Sequence, residues 1–253
     1  RVTLTVDTVP PVVTLSAPLA GTLGTATPTL IYSVDDAGAT VVVTVDGNPV
    51  SVNSGESLSL SDGSHTLLVT ATDDAGQSDS ASVVVNVDTT APVVTIASPL
   101  AGYVTSASPL LDYEVDDAAA AVTVKVDGSV VSVADGETLS LVDGPHTIDV
   151  AAVDDVGNRG SASVAVTVDT AAPVVTLSAP AAGYVTSSTP TLIYSVDDGD
   201  AAVEVRVDGS LVAVNSGETL SLADGEHTLV VTATDAAGLS GSATVNVTVD
   251  TAA

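Results

Sequence analysis

The chain is 253 residues long, carries 32 acidic side chains against 4 basic ones, and has a formal net charge of −28. It contains no Cys, Met, Trp or Phe and only five Tyr, yet 45% of it is hydrophobic and its mean hydropathy is +0.48. Zero Cys excludes disulfide scaffolds and thiolate metal centres, four basic residues cannot neutralise a nucleic-acid backbone, and the acidity opposes anionic membrane surfaces.

No apolar run reaches the roughly 18 residues of a membrane span, and none of these residues reads as a signal peptide. A start at Arg1 without Met reads as a chain processed or excised from something longer. Disorder is disfavoured because the apolar residues fall in short β-branched runs.

Internal repeats set the organisation. DTVPPVVTLSAP from Asp7 returns as DTTAPVVTIASP from Asp88 and DTAAPVVTLSAP from Asp169, and VDT returns again at Asp250, always at the same spacing. The copies align without a gap, so residues 7–87, 88–168 and 169–249 read as three tandem domains. Residues 250–253 then begin the next linker. Residues 1–6 read as the last strand of a preceding repeat, because Val2, Leu4 and Val6 stand where Val83, Val85 and Val87 stand in the first copy. The sharper alternative is that this strand pairs with another molecule by edge addition.

Each copy divides into seven short runs. In the second copy they are APVVTIAS, PLLDYEV, AVTVKV, SVVSV, TLSL, HTIDVAAV and SASVAVTV, separated by AGYVTSASP, DDAAA, DG, ADGE, VDGP and DDVGNRG. Asp-Gly between extended runs is a hairpin signal, and no segment shows a 3.6-residue period with helix caps. On the second run Leu30, Tyr32 and Val34 match Leu111, Tyr113 and Val115, whereas Ile31 and Ser33 become Asp112 and Glu114, so Tyr113 is expected inward. On the third, Val122, Val124 and Val126 are expected inward, with Val203, Val205 and Val207. On the sixth, Ile148, Val150 and Ala152 are expected inward, flanking an outward Asp149. One buried and one wet face per strand is antiparallel sandwich behaviour. The expected fold is all-β: three tandem seven-stranded immunoglobulin-like (fibronectin-III-like) sandwiches in an elongated array. Their Val, Ala and Leu cores are modest, so each domain is expected to be marginal alone.

The acids are 26 Asp and 6 Glu. In such a sandwich the linker, the loop after the second run and the loop after the sixth meet at one end. That end collects Asp7, Asp35, Asp36, Asp73 and Asp74 in the first copy, and Asp88, Asp116, Asp117, Asp154 and Asp155 in the second. In the third it collects Asp169, Asp197, Asp198 and Asp235, with Ala236 where Asp155 stands. Bare carboxylates so grouped would repel, and a calcium ion with six to eight oxygen ligands suits flexible Asp-rich loops. These fourteen residues are therefore the expected ligands of structural calcium stiffening the domain joints. Asp capping of turns is the competing reading, and it is preferred for the Asp-Gly pairs at Asp46, Asp62, Asp127, Asp143, Asp208 and Asp224.

VDTTAPVVTI from Val87, with ATDDAG at Ala71–Gly76, AVDDVGN at Ala152–Asn158 and ATDAAG at Ala233–Gly238, resembles the tandem bacterial immunoglobulin-like repeats of large surface adhesins and biofilm proteins. The resemblance covers the whole chain in three copies. It implies a string of sandwiches on the cell surface, often rigidified by calcium. The linker aspartates Asp7, Asp88 and Asp169 and the loop aspartates Asp73, Asp154 and Asp235 would be ligands. The near-absence of Lys and the lack of Phe and Trp depart from the family.

Catalysis has little to stand on. His65, His146 and His227 occupy one repeated position with an expected structural role at the start of a strand, and there is no nucleophile elbow, phosphate loop or HExxH. Tyr103 and Tyr184 are the candidate exposed aromatics, with packing at the domain junction as the plainer role, and Asn246-Val-Thr248 is a glycosylation sequon. The function expected is a non-catalytic extracellular spacer. Its partners are neighbouring repeats of the same or another chain, and it inserts in no membrane. A subunit of a polymeric filament is the alternative, and a module gripping glycan, ice or a host receptor comes third.

Overall fold

The structure, a computed structural model, describes residues 6–252. The strand expected at residues 1–6 lies, apart from Val6, outside the described residues. Twenty-one strands and no helix are present among them. The first seven are β1 (Val13–Ala17), β2 (Gly21–Leu23), β3 (Ile31–Val34), β4 (Thr40–Val45), β5 (Asn48–Val50), β6 (Gly63–Thr72) and β7 (Ser78–Val87). The second seven are β8 (Val94–Ser98), β9 (Gly102–Val104), β10 (Asp112–Val115), β11 (Ala121–Val126), β12 (Ser129–Val131), β13 (Gly144–Val153) and β14 (Arg159–Val168). The last are β15 (Val175–Ala179), β16 (Gly183–Val185), β17 (Ile193–Val196), β18 (Ala202–Val207), β19 (Ser210–Val212), β20 (Gly225–Thr234) and β21 (Ser240–Val249).

Each set forms a five-stranded sheet facing a two-stranded one, in the order β2-β7-β6-β4-β5 against β1-β3 for the first. The chain is thus all-β, with three immunoglobulin-like or fibronectin-III-like sandwiches in tandem. It divides into two compact units. One holds the first sandwich with Glu114–Thr123 and Val150–Ala162; the other holds Ile96–Tyr113, Val124–Asp149 and the third sandwich.

Seven strands per repeat were expected, but two of their places differ. The run TLSL, Thr138–Leu141, is no strand and makes one isolated bridge, Leu110↔Thr138. It still lies beside the segment before β10, through Leu139 N–H to Pro109 O and Leu141 N–H to Ala107 O, each at 2.9 Å. The seventh strand is instead β9, inside the segment expected as a turn. Gly102, Tyr103 and Val104 pair parallel with Val166, Thr167 and Val168. So short a run carries too little periodicity to be seen, and its parallel partner stands at the far end of the same repeat.

Alternation places the core as expected on the long strands. Leu67, Val69 and Ala71, like Ile148, Val150 and Ala152, are fully buried, and Leu30, Leu111 and Leu192 close the opposite side. Tyr32 and Tyr194 pack half-buried against the clusters. The largest fully buried side chains are only Leu, Ile and Val. Val122 and Val203, expected inward, are each 38% exposed. They sit at strand starts, where a two-stranded sheet is too narrow to cover a five-stranded one.

The first β-strand of each sandwich is set down in two ways. In the first, Asp79 Oδ2 accepts the Val13 N–H at 2.9 Å. The matching residues are Gly160 and Gly241, where a Cβ would lie 1.7 Å from the Pro92 carbonyl oxygen and 1.8 Å from that of Pro173. Only a residue without Cβ lets those backbones touch.

Candidate functional site

The end of each sandwich holding the linker does gather the expected loops. The Val12 amide donates to Asp35 Oδ1, Val93 to Asp116 Oδ1 and Val174 to Asp197 Oδ1, each at 2.7 Å. Most of the remaining expected ligands turn the same way. Asp7, Asp88 and Asp169 accept amides two residues ahead through Oδ1, as do Asp36, Asp117 and Asp198. These are Asx caps. Asp73, 8% exposed, closes its loop through Ala75 N–H, Gln77 N–H and the Gln77 side chain. Asp154 does so through three amides and Asn158. Burial pushes the Asp154 carboxyl up, but those hydrogen bonds together hold it below its ordinary 3.8. Asp235 Oδ1 accepts the Leu239 amide, while its Oδ2 is buried without a partner. Neither Asp74 nor Asp155 is drawn into this bonding. As arranged, no group of three or more His, Cys, Asp or Glu among the described residues could hold a metal ion.

The opposite end carries an arrangement that sequence reasoning missed. Asp46-Gly47 forms the tight β4–β5 hairpin, with φ of 51° and 78°, as a primed turn demands. Its carboxylate does not cap its own turn. Oδ1 accepts the Thr66 amide at 2.7 Å and Oδ2 lies 2.7 Å from His65 Nδ1. The other ring nitrogen, Nε2, lies 2.8 Å from the Ser61 carbonyl oxygen. The set recurs as Asp127–His146–Val142 and Asp208–His227–Ala223. The partner carboxylate, then the backbone carbonyl, raises each imidazole above its ordinary 6.5. The amides of Thr66 and Thr147, then the imidazoles, hold Asp46 and Asp127 below 3.8; for Asp208 the imidazole comes first.

One residue beyond Ser61, Asp62 grips the linker. Its Oδ1 accepts the Thr89 amide and hydroxyl at 3.0 and 2.7 Å, and its Oδ2 accepts the Thr90 hydroxyl at 2.8 Å. The Thr89 and Thr90 hydroxyls hold this carboxyl below its ordinary value. Asp143 takes the Thr170 hydroxyl, and Asp224 the Thr251 hydroxyl and amide. The Asp-Gly pairs at Asp62, Asp143 and Asp224 are thus neither hairpins nor self-capping turns, because Gly63, Gly144 and Gly225 open β6, β13 and β20 and the aspartates reach across to the far ends of β7, β14 and β21. The repeat showed that these aspartates and threonines recur, but their pairing over the length of a whole hairpin needed coordinates.

Both nitrogens of each imidazole face an oxygen atom. An open groove of about 480 Å³ at the edge of the first sandwich is lined by Val50, Val52, Leu58 and Leu60 with His65 at its rim. Tyr103 and Tyr184 are 55% and 83% exposed, which sets Tyr184 apart from the plainer packing role. No helix of the described residues is long and apolar enough to cross a membrane.

No family model matches the chain, and no curated protein matches it. Similar solved structures include fibronectin(III)-like modules of CbhA from Clostridium thermocellum, 22% identical with a TM-score of 0.39, over 62% of this chain and 94% of that one. Another is the N-terminal eight immunoglobulin domains of the Down syndrome cell adhesion molecule, 14% identical with a TM-score of 0.46, over 95% and 36%. A third is a 1.5-MDa bacterial ice-binding adhesin, 21% identical with a TM-score of 0.36, over 96% and 99%. At such values the likeness is one of fold, and the fold stands on the strand order described above.

Proposed function

We propose that this chain is a structural, non-catalytic spacer of an extracellular surface protein, each repeat adding length between other parts. The observation that carries the reading is the Asp–Thr clip, which follows all three sandwiches and ties each linker to the body before it. A free tether would need no such clip; a spacer of defined reach does. Light scattering with negative-stain imaging of chains of one to three repeats tests it. Monomers lengthening by roughly 35–40 Å per repeat, the rise of an eight-residue strand plus a joint, support the spacer. Long fibres would mean the filament instead, and no increment with repeat number would sink both.

Calcium at the joints belongs to the same proposal. It is supported by the Asp235 oxygen buried without a partner and by linker aspartates that use only Oδ1. It requires the capped loops to re-aim their free oxygens. EDTA should then lower the melting temperature; melting and solution length both unchanged would remove the ion from the proposal.

A further inference from the structure

The three imidazoles are bound in a way that specifies their charge. A carboxylate oxygen and a backbone carbonyl oxygen only accept hydrogen bonds. His65 meets one of each, at 2.7 and 2.8 Å, and the other two histidines repeat the pair at 2.7 Å with 2.8 and 2.9 Å. Both nitrogens must therefore carry protons, which makes each ring a cation. A neutral ring would aim a lone pair at an acceptor within contact distance.

The carbonyl that each ring holds belongs to a residue next to the clip. Ser61 precedes Asp62, Val142 precedes Asp143, and Ala223 precedes Asp224. One imidazolium thus joins the hairpin aspartate to the turn whose next residue grips the linker. We propose that every sandwich ends in a proton-operated catch, in which the doubly protonated His65, His146 and His227 hold the gripping turn, and loss of that proton frees the turn and loosens the linker.

Few other charges face these rings. Around His65, β4, β5, Ser57–Ser61 and the paired end of β7 carry none, leaving Asp46 and Asp62. Around His146 stand Asp127 and Asp143, with Lys125 of β11 exposed. Around His227 stand Asp208, Asp224 and Glu226, while Arg206 of β18 is engaged by Glu204 and the Gly209 carbonyl. The sign follows from the directions of shift. Each ring is raised above 6.5, so the catch is fully closed below 6.5 and opens as pH rises through the elevated value. Asp46 is lowered from 3.8, so that side fails only as pH falls through its depressed value.

Nitrogen-15 NMR of the intact chain tests the charge, and amide exchange of Thr89, corrected for base catalysis, tests the grip. The expected result is rings protonated on both nitrogens at pH 6, with midpoints above 6.5. Thr89 protection should fall several-fold across the His65 midpoint while Leu67 and Val69 keep theirs. In His65→Gln that dependence should vanish at Thr89 and persist for His227 at Thr251, whose amide Asp224 holds. A midpoint at or below 6.5, or Thr89 protection indifferent to the His65 midpoint, would overturn the proposal. Both are read from the unmodified chain, so the outcome does not depend on the variant folding.

Discussion

The linkers after the first and second sandwiches run through matching positions, yet the first is held by more bonds. Asp62 takes three hydrogen bonds from Thr89 and Thr90, whereas Ala171 replaces Thr90 in the second linker and Asp143 is left with the Thr170 hydroxyl. Asn158 closes the Asp154 loop and also donates to the carbonyls of Asp88 and Thr90, at 2.9 and 3.4 Å. Leu239 stands in its place in the third sandwich and has no side-chain donor to offer, which is why Asp235 Oδ2 is orphaned. Gly24 lies against the backbone of that first-linker loop, so close that a Cβ would sit 2.8 Å from the Val156 carbonyl; Thr105 is its counterpart. Repeats that look interchangeable along the chain therefore differ in how firmly the joints are clasped, and the differences sit in three or four side chains.

What the two linkers share should break first. Gly160→Ala and Gly241→Ala each force a methyl into a backbone carbonyl, and each should cost about 3 kcal/mol or more as overpacking against atoms that cannot swing aside. Denaturant melts read at the affected sandwich should show similar losses; a harmless Gly241→Ala would mean the two starts are not built alike. The next largest effect should come from copying the second linker into the first. Asn158→Leu strips the bond to Asp154 and two bonds to the linker, a loss of about 2 kcal/mol for a polar group left without its partner. The reverse exchange, Leu239→Asn, should give the Asp235 carboxylate its missing donor and stabilise the third sandwich by about 1 kcal/mol. Amide exchange in β13–β14 and β20–β21 reads these two changes, and equal responses would erase the distinction between the linkers. Thr90→Ala, which leaves the two Thr89 bonds to Asp62, should be the mildest, near the ~0.5 kcal/mol of a single exposed hydrogen bond.

Much of this architecture was legible beforehand. The constant spacing of Asp7, Asp88, Asp169 and Asp250 marked three equal bodies, and alternation at Leu67, Val69 and Ala71 or Ile148, Val150 and Ala152 told which face was buried. The Asp-Gly at Asp46 marked a true hairpin because its two central residues must both take positive φ. Less legible was the short parallel strand β9, whose pairing with β14 has no local signature. The joints were read only partly. The loops carrying Asp88, Asp116 and Asp154 do converge, but what each carboxylate does there depends on whether an amide N–H lies nearer than another carboxylate. Asp35, Asp116 and Asp197 meet the residues just before β1, β8 and β15, whereas Asp36, Asp117, Asp73 and Asp154 meet their own loops. The signal that could have found the Asn158 clasp was present, as Gln77, Asn158 and Leu239 differ at one position of otherwise closely matched copies.

From its residues alone, the chain determined its all-β character, its threefold repetition and the faces of its long strands, because these follow from composition and from a period of two that every residue obeys locally. Tertiary structure decided which aspartate holds what. A carboxylate at a loop start can cap, bind an ion or pair with an imidazole, and only the placement of backbones distant in sequence selects among them. The 32 acidic side chains are thereby divided. Some cap loops, three pair with the imidazoles, and three hold the linkers.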